Sequence, residues 1–228
     1  MTLRRMFSSV TGNYDLLNRI LTWGFDGSWR RTTTTECSDS GWLIDLCCGT
    51  GELALTMAEE LSGQVVGIDF SVPMILSASE KRIRRMGGER VNLVLGDASN
   101  LPFKNASTGC VGVSFSLRNL VYRNPAAQEC LKEVCRVLRP GGRFVTVETS
   151  QPKYRSVRAL FRLYVRRFVP LLGGLISGNR GAYRYLGISA ANFPPPEEIS
   201  RMIKRAGFSR VFFRTMTLGV VAVHMAVK

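Results

Sequence analysis

Short apolar runs alternate with longer segments of helical periodicity along the first two thirds of the chain. The apolar runs are rich in β-branched residues, as buried parallel strands are, and they predict strands at residues 42–47, 65–69, 91–95, 109–115 and 143–147. Between them the periodicity predicts helices at 52–62, 73–86 and 126–138. Repeated strand–helix–strand units imply right-handed crossovers, so the sequence predicts a doubly wound α/β sheet whose strands are mostly parallel.

The pattern changes after residue 147. In order, it predicts a basic helix at 153–168, a glycine-rich turn at Gly173-Gly174, a helix ending near Ala206, and strands at 211–216 and 220–227. Only a short connection separates these two strands, which indicates a hairpin, so we expect the sheet to end with an antiparallel strand. The length fits one domain over 1–228. Its predicted parts are a helical lid (1–35), a ligand-binding core (41–150), a basic amphipathic cover (151–195), and a last helix with the terminal strands (196–228).

Composition excludes several classes of protein. Hydrophobic residues make up 45% of the chain and charged residues 21%, which is ordinary globular usage and argues against disorder and coiled coils. No apolar run approaches the roughly 20 residues that a membrane-spanning helix needs. The charged start of the chain is followed by Ser8 and Ser9 rather than by an apolar run. We therefore expect no secretory leader and a cytoplasmic protein.

Positive charge is concentrated in the last third of the chain. The net charge is +14, and residues 151–228 hold 14 of the 31 Lys and Arg but only 2 of the 17 Asp and Glu. A surface with this charge is typical of proteins that bind nucleic acid, anionic lipid headgroups or a charged substrate, and composition does not distinguish among these partners. The six cysteines form no C-x-x-C pair and His224 is the single histidine, so we predict no metal site and a structural role for His224.

A glycine-containing loop joins the first predicted strand to the first helix of the sheet. It contains Gly49, Thr50 and Gly51, where glycines let the backbone approach a ligand closely and the helix N-terminus offers free N–H groups. The spacing matches the G-x-G-x-x-G/A dinucleotide fingerprint, and Asp69, at the end of the next strand, is placed to bind ribose hydroxyls. Taken alone, this loop fits either a nicotinamide dinucleotide or S-adenosylmethionine.

Carboxylates at successive strand ends favour S-adenosylmethionine. Asp45, four residues before Gly49, can bind a cationic amino group, which a nicotinamide cofactor lacks. Asp97 and Ala98 follow the third strand, where the Asp97 carboxylate can meet the adenine amine. With Asp69, these side chains converge on the ligand-binding edge of the sheet. This order of motifs resembles the class I S-adenosylmethionine-dependent methyltransferases, which implies a Rossmann-like sheet of seven strands.

Five groups of residues carry a narrower resemblance. They are 6–19 together with Trp23-Gly24 and 29–31, then 101–103, 114–119, 183–186 and 218–224. These motifs resemble the ubiquinone/menaquinone biosynthesis C-methyltransferase family (UbiE/MenG type), and the resemblance covers essentially the whole chain. It implies methyl transfer from S-adenosylmethionine to a ring carbon of a prenylated hydroquinone.

The resemblance also implies roles for individual residues. Ser114 belongs to the cofactor site, and Arg118 with Asn119 forms the catalytic pair. A ring carbon becomes nucleophilic when a ring hydroxyl loses its proton, and a guanidinium stays cationic at neutral pH. We therefore predict that Arg118 stabilises the oxyanion while water carries the proton away. Tyr14 and Asn18 are candidates for a lid over the substrate, with a core or helix-capping role as the alternative.

The basic segment at 153–168 places apolar residues on one helical face and arginines on another. A hydroquinone with an isoprenoid tail dissolves in a bilayer, so we expect peripheral association with an anionic membrane. The alternative is that the apolar face packs on the domain and the arginines are only solvated.

Two other functions stay open at this point. One is a methyltransferase for another lipid or small molecule. The other is a nucleic-acid-binding protein, which the positive charge favours. We expect no nucleic-acid partner, because the aromatic residues of the basic segment form an apolar stripe rather than a stacking platform. The sequence does not distinguish a benzoquinol from a naphthoquinol acceptor, and it leaves a homodimer open.

Overall fold

A computed structural model of the chain describes residues 6, 8, 10–37 and 41–228; Phe7 and Ser9 of the N-terminal motif, and the first five residues of the predicted lid, lie outside this part. Seven strands form one sheet in the described part, in the order β3-β2-β1-β4-β5-β7-β6. The strands are β1 (Trp42–Leu46), β2 (Gln64–Asp69), β3 (Val91–Leu95), β4 (Thr108–Ser114), β5 (Leu138–Thr149), β6 (Arg210–Met216) and β7 (Val221–Val227).

The pairing of the strands confirms the predicted fold. β1 pairs in parallel with β2 and β4, β2 with β3, and β4 with β5, whereas β7 runs antiparallel to both β5 and β6. The chain leaves β1 towards β2 on one side and reaches β4 on the other, which makes the β1–β4 boundary the switch point of the sheet. Ligands of doubly wound sheets bind outside the carboxyl ends of the strands at this point.

Ten α-helices accompany the sheet across the described ranges. They are α1 (Tyr14–Leu21), α2 (Asp26–Glu36), α3 (Glu52–Glu60), α4 (Val72–Arg84), α5 (Leu117–Val121), α6 (Ala127–Val137), α7 (Arg155–Leu163), α8 (Val169–Ser177), α9 (Arg180–Ala191) and α10 (Pro196–Arg205). Of these, α5, α8 and α9 are not predicted by the pattern. The helix α5 is too short to show a period, and glycines interrupt the pattern of α8 and α9.

Both faces of the sheet are buried. In β1, Ile44 packs with the core that includes α6 and α10, whereas Leu43 packs with the core on the other face, which includes α2 and α3. This alternation follows from the two-residue period of a strand. A third core lies apart from both: it joins Leu17 of the lid to Phe161 and Val165 of the basic segment. The first lid helix, α1, therefore packs on the cover, whereas the second, α2, packs on the sheet, and the predicted boundaries of lid and cover stay a prediction.

The expected turn at Gly173-Gly174 is wrong. Both glycines lie inside α8, and the two helices α8 and α9 cross closely there. A Cβ at Gly173 would lie 2.1 Å from the Tyr183 ring, and one at Gly174 would lie 2.3 Å from the Arg180 side chain. The glycines therefore allow helix packing rather than a chain reversal.

The predicted helix at 153–168 is longer than expected. After α7 the chain forms a π-helical turn, Tyr164–Phe168, and continues directly into α8. Pro170, in the first turn of α8, has no N–H to donate to the carbonyl group of Arg166, so an α-helical ladder cannot be regular here. Within the part of the chain that the structure describes, no helix is both long and apolar enough to cross a bilayer.

Candidate active site

A cleft of about 270 Å³ lies beyond the carboxyl ends of β1, β2 and β3, where the topology predicts a ligand. Gly49, Asp69, Asp97, Ala98 and Asn119 are among the residues that line it. A smaller recess of about 30 Å³ continues from Gly49 towards the end of β4. We call these the cofactor cleft and the inner recess, and together they contain most of the residues predicted to bind the cofactor.

Asp69 fixes the glycine loop against the end of β2. Its Oδ2 accepts a hydrogen bond from Gly49 N at 2.9 Å, and its Oδ1 accepts one from Ser71 N at 2.9 Å. Burial raises the pKa of the Asp69 carboxyl group, and these backbone hydrogen bonds partly offset the shift. Because each carboxylate oxygen has a second lone pair, Asp69 can hold the loop and still accept bonds from ribose hydroxyls.

Asp45 lies deeper, at the inner recess. Its side chain is buried, and its Oδ2 accepts a hydrogen bond from Ala54 N at 2.8 Å. Burial, together with the nearby charge of Asp69, raises the pKa of Asp45 to about 8. A cation placed in the recess would stabilise the ionised form of this carboxyl group.

Thr50 and Gly51 help to fix the conformation and position of the glycine loop. The Thr50 hydroxyl donates a hydrogen bond of 2.6 Å to Asp15 Oδ1 on α1, and Lys81 of α4 also pairs with Asp15, so the loop is tied to the lid. Gly51 has φ +82° and a Cβ there would lie 3.0 Å from Ala78. Gly51 is not among the residues that line either the cofactor cleft or the inner recess, whereas Thr50 lines the recess.

The remaining predicted cofactor residues lie at the ends of β3 and β4. Asp97 Oδ1 accepts hydrogen bonds of 2.8 Å from both the backbone and the hydroxyl group of Ser99, which orients the carboxylate at the cleft. Ser114 lines the inner recess, and none of the residues described in the structure hydrogen-bonds to its buried Oγ. A ligand in the recess can satisfy this hydroxyl group.

A larger cavity of about 500 Å³ lies between the lid and the basic segment, and its lining is mostly apolar. Tyr14 and Asn18 of α1, Trp29 of α2 and Phe161 of α7 are among its walls. Tyr14 also lines the cofactor cleft and the inner recess, so all three spaces meet at this side chain. Burial raises the pKa of Tyr14, and a hydrogen bond with Asn18 partly offsets that shift. We call this space the acceptor cavity.

Arg118 lines the acceptor cavity and is buried. Its Nη1 donates hydrogen bonds of 2.9 Å to Glu148 Oε1 and to Thr149 Oγ1, while its backbone N–H donates one of 3.0 Å to Glu148 Oε2. In the described chain its Nε has no hydrogen-bond partner. Asn119, the other predicted catalytic residue, lines the cofactor cleft instead and accepts a hydrogen bond from the Tyr185 hydroxyl group.

Sequence reasoning missed Glu148 and Arg30. Glu148 lies within an apolar strand and had no motif to mark it. Arg30 belongs to the residue group 29–31, a motif that by itself assigns no chemistry to the arginine. It lines both the inner recess and the acceptor cavity, and its Nη1 pairs with Asp26 Oδ2 at 2.6 Å. Among the residues found to line the recess, Arg30 is the one cation, so it can bind a carboxylate there.

The single histidine lies away from these spaces. His224 is buried on β7, its Nε2 lies 3.0 Å from Pro196 O, and burial lowers the pKa of its ring. It lines neither the cofactor cleft nor the acceptor cavity. Over the described ranges, no three His, Cys, Asp or Glu side chains are grouped so that they could hold a metal ion.

The doubly wound sheet with its antiparallel β7, and carboxylates at three strand ends, define a class I S-adenosylmethionine-dependent methyltransferase. Solved structures of this class share the fold: a methyltransferase from Thermotoga maritima has a TM-score of 0.70 at 16% identity, with 99% of this chain and 100% of that chain covered. The phosphoethanolamine N-methyltransferase 2 of Haemonchus contortus, solved with S-adenosylhomocysteine, has a TM-score of 0.59 at 16% identity, covering 84% and 49%.

The chain belongs to the ubiE/COQ5 methyltransferase family, which it matches over residues 1–228. It is 41% identical to the demethylmenaquinone methyltransferase of Thermus thermophilus, covering 96% of this chain and 98% of the relative. It is 35% identical to the enzyme of the same name from Lactiplantibacillus plantarum, covering 98% and 94%. These findings confirm the family resemblance, the enzyme class and the methyl donor that the sequence predicted.

Proposed function

We propose that the protein methylates a ring carbon of demethylmenaquinol, a naphthoquinol that carries an isoprenoid tail. The observation that carries the proposal is an apolar cavity of about 500 Å³ that has a buried arginine in its wall and meets the cofactor cleft at Tyr14. The names of the relatives support this acceptor over a benzoquinol on the ubiquinone pathway.

Side chains of the cofactor site are assigned to different parts of the methyl donor. We assign Asp69 to the ribose, Asp97 to the adenine amine, and Asp45 to the ammonium group. Arg30 would then bind the carboxylate of the cofactor, and the Ser114 hydroxyl group would bind another polar atom of the cofactor in the recess. When bound, S-adenosylmethionine supplies an electrophilic methyl group. The donor set fits this cofactor, since the inner recess offers both a buried carboxyl group, which a bound ammonium group would ionise, and a buried cation.

The acceptor side of the reaction depends on Arg118. Its guanidinium group, held by Glu148, stabilises the ring oxyanion that makes the carbon nucleophilic. Tyr14 and Asn18 close the cavity from the lid and orient the ring towards the cofactor cleft. Water accepts the proton, because a guanidinium group remains protonated at neutral pH.

We further propose that the enzyme works at the surface of an anionic membrane. The basic cover combines its arginines with an apolar face, and Phe161 and Val165 of that face are already buried in the third core. The apolar face of this segment can therefore pack on the domain while its arginines face the membrane, because the two sets of side chains lie on different sides of the helix. The homodimer stays a prediction, and light scattering of the purified protein measures it.

Methylation of defined acceptors tests the function. With S-adenosylmethionine and a short-tailed demethylated naphthoquinol, we expect a product that carries one additional methyl group on a ring carbon, as measured by mass spectrometry and NMR. The matched benzoquinol should react more slowly. Absence of methylation of either ring, together with salt-dependent binding of oligonucleotides, would contradict the proposal and favour a nucleic-acid role.

Asp69→Ala is expected to weaken S-adenosylmethionine binding by roughly tenfold or more. The change removes a hydrogen-bonding charge, typically worth about 1.5–3 kcal/mol, and it frees the loop at Gly49. Calorimetric titration measures the effect. Glu89→Ala, a change at an exposed carboxylate that does not line the cleft, is the control. An unchanged affinity in the Asp69 variant would place the ribose elsewhere.

Binding of the cofactor is expected to release a proton between about pH 5 and pH 8. In the protein alone the pKa of Asp45 is about 8, so its carboxyl group is mainly protonated below that value. A bound ammonium group favours the ionised form and lowers the pKa of Asp45, so affinity rises with pH up to about pH 8. Calorimetry in buffers of different ionisation enthalpy counts the protons. Asp45→Asn should abolish the release, and a release that persists in this variant would assign it to another group.

A further inference from the structure

Six residues that line the acceptor cavity are also more than half exposed to solvent. They are Trp23, Phe25, Leu160, Leu163, Phe168 and Leu218, and we call them the entrance rim. They come from three separate parts of the chain: the turn between α1 and α2, the basic helix with its π-helical turn, and the connection before β7. Large apolar side chains gathered at a cavity mouth mark an interaction site rather than scattered surface residues.

The apolar surface continues from the entrance rim along α8. Leu171 and Leu175, one helical turn apart, are 48% and 74% exposed and do not line the cavity. The end of α8 lies beside the lid, since Asn13 Nδ2 donates a hydrogen bond of 3.2 Å to Ile176 O. On that lid, Leu16 and Ile20 are exposed as well. The exposed apolar side chains therefore extend beyond the mouth itself.

The charge around this surface is of one sign. Residues 151–195 contain eight Lys and Arg and no Asp or Glu. On α7, Leu160 and Leu163 line the cavity, whereas Arg158 donates to Pro152 O and Arg162 to Gln151 Oε1 on another flank of the helix. Cationic side chains beside an apolar surface complement anionic headgroups beside hydrocarbon.

We infer that the entrance rim, together with Leu171 and Leu175, inserts into the boundary between the headgroups and the acyl chains of an anionic bilayer. The acceptor cavity then opens directly into the lipid, and an isoprenoid tail too long for the cavity stays in hydrocarbon while the ring enters. The inference rests on the proposed lipid-soluble acceptor. It assigns the inserted contact to the rim and α8, with the arginines of the cover at the headgroups.

Vesicle binding of a leucine variant tests the inserted surface. Leu171→Ser with Leu175→Ser should weaken sedimentation with vesicles of equimolar phosphatidylglycerol and phosphatidylcholine by roughly tenfold or more, because two apolar side chains no longer enter the lipid. The residual binding of the variant should fall steeply with salt, since only charge attraction remains. The matched control is Ile83→Ser with Met86→Ser, which changes two apolar residues that are more exposed than the two leucines, 81% and 83%, and that line no part of the cavity.

Trp23 reports insertion directly. It is 80% exposed, whereas Trp29 is buried and Trp42 is half-buried in the sheet core. Vesicles whose acyl chains carry bromine near the headgroups should quench the fluorescence of the parent protein, and Trp23→Phe should remove most of that quenching. An unquenched Trp23, with a leucine variant that sediments like the parent, would overturn the inference and leave this surface to a protein partner.

Methylation of a short-tailed, water-soluble naphthoquinol separates the two claims. The leucine variant should methylate it at nearly the parent rate, because Leu171 and Leu175 lie outside the cavity. Loss of vesicle binding without loss of this activity supports the inserted surface. A parent protein that binds vesicles with a quenched Trp23 but methylates no quinol would instead contradict the proposed function and leave the membrane contact standing.

Discussion

Replacing Arg118 with Lys is expected to lower turnover on the order of a hundredfold while S-adenosylmethionine affinity stays near the parent value. Lysine keeps a positive charge, but it loses the planar group that bonds Glu148 and Thr149 with one nitrogen and can direct others into the acceptor cavity. Loss of one well-placed donor to an oxyanion typically costs about a hundredfold to a thousandfold in turnover. Initial rates at saturating short-tailed acceptor, beside calorimetric titration of the cofactor, measure both quantities.

Arg30→Lys is the matched control for this experiment. Arg30 lines both the inner recess and the acceptor cavity, but we assign it to the cofactor carboxylate, so its substitution should raise the Kd of the cofactor and affect turnover at saturating cofactor much less. The Arg30 variant should thus change mainly the binding of the cofactor, and the Arg118 variant mainly the turnover. If Arg118→Lys lost cofactor affinity in parallel with activity, Arg118 would belong to the cofactor site and the oxyanion would need another partner.

Glu148→Ala is expected to destabilise the protein by about 3–5 kcal/mol, since it leaves the buried charge of Arg118 without its partner. Glu148 also accepts hydrogen bonds from the backbone N–H groups of Arg118 and Thr149, which the alanine variant leaves without this acceptor. For a chain of this size, a loss of that magnitude lowers Tm by roughly 10 °C. Thermal and urea unfolding measure it.

Removing both charges together provides the control. Arg118→Met with Glu148→Gln leaves no unpaired buried charge, so it should recover much of the stability that Glu148→Ala loses, although it should remain inactive. Recovery of folding without activity would show that the pair is both a structural unit and part of the catalytic site. A Glu148→Ala variant that unfolds at the parent midpoint would contradict the structural role of the pair.

The local pattern of apolar residues was sufficient to predict the sheet. β-branched runs with helices between them predicted the parallel strands because such strands are buried on both faces and need apolar residues at every position. The carboxylates Asp45, Asp69 and Asp97 could be placed at one edge for a related reason: the carboxyl ends of parallel strands meet there whatever the details of packing. The glycine loop followed from its spacing.

Packing between distant segments decided what the local pattern could not. The pair Gly173-Gly174 resembles a turn in isolation, and only the approach of Tyr183 makes it a helix contact. In the sequence, Glu148 is only one polar residue in an apolar strand. Its role is visible only in the fold, which places Arg118 within hydrogen-bonding distance of it.

The sequence by itself therefore determined the fold class, the family and the sheet edge at which the predicted cofactor residues meet, because these depend on residue order along single strands and loops. The tertiary structure decided the shape of the acceptor cavity, the position of Arg30 between cavity and recess, and the exposure of the entrance rim. Each of these depends on where the lid and the basic cover settle on the sheet. That position is set by contacts between residues more than a hundred positions apart, such as the hydrogen bond from Tyr164 to Leu21, and such contacts leave no periodic signal in the chain.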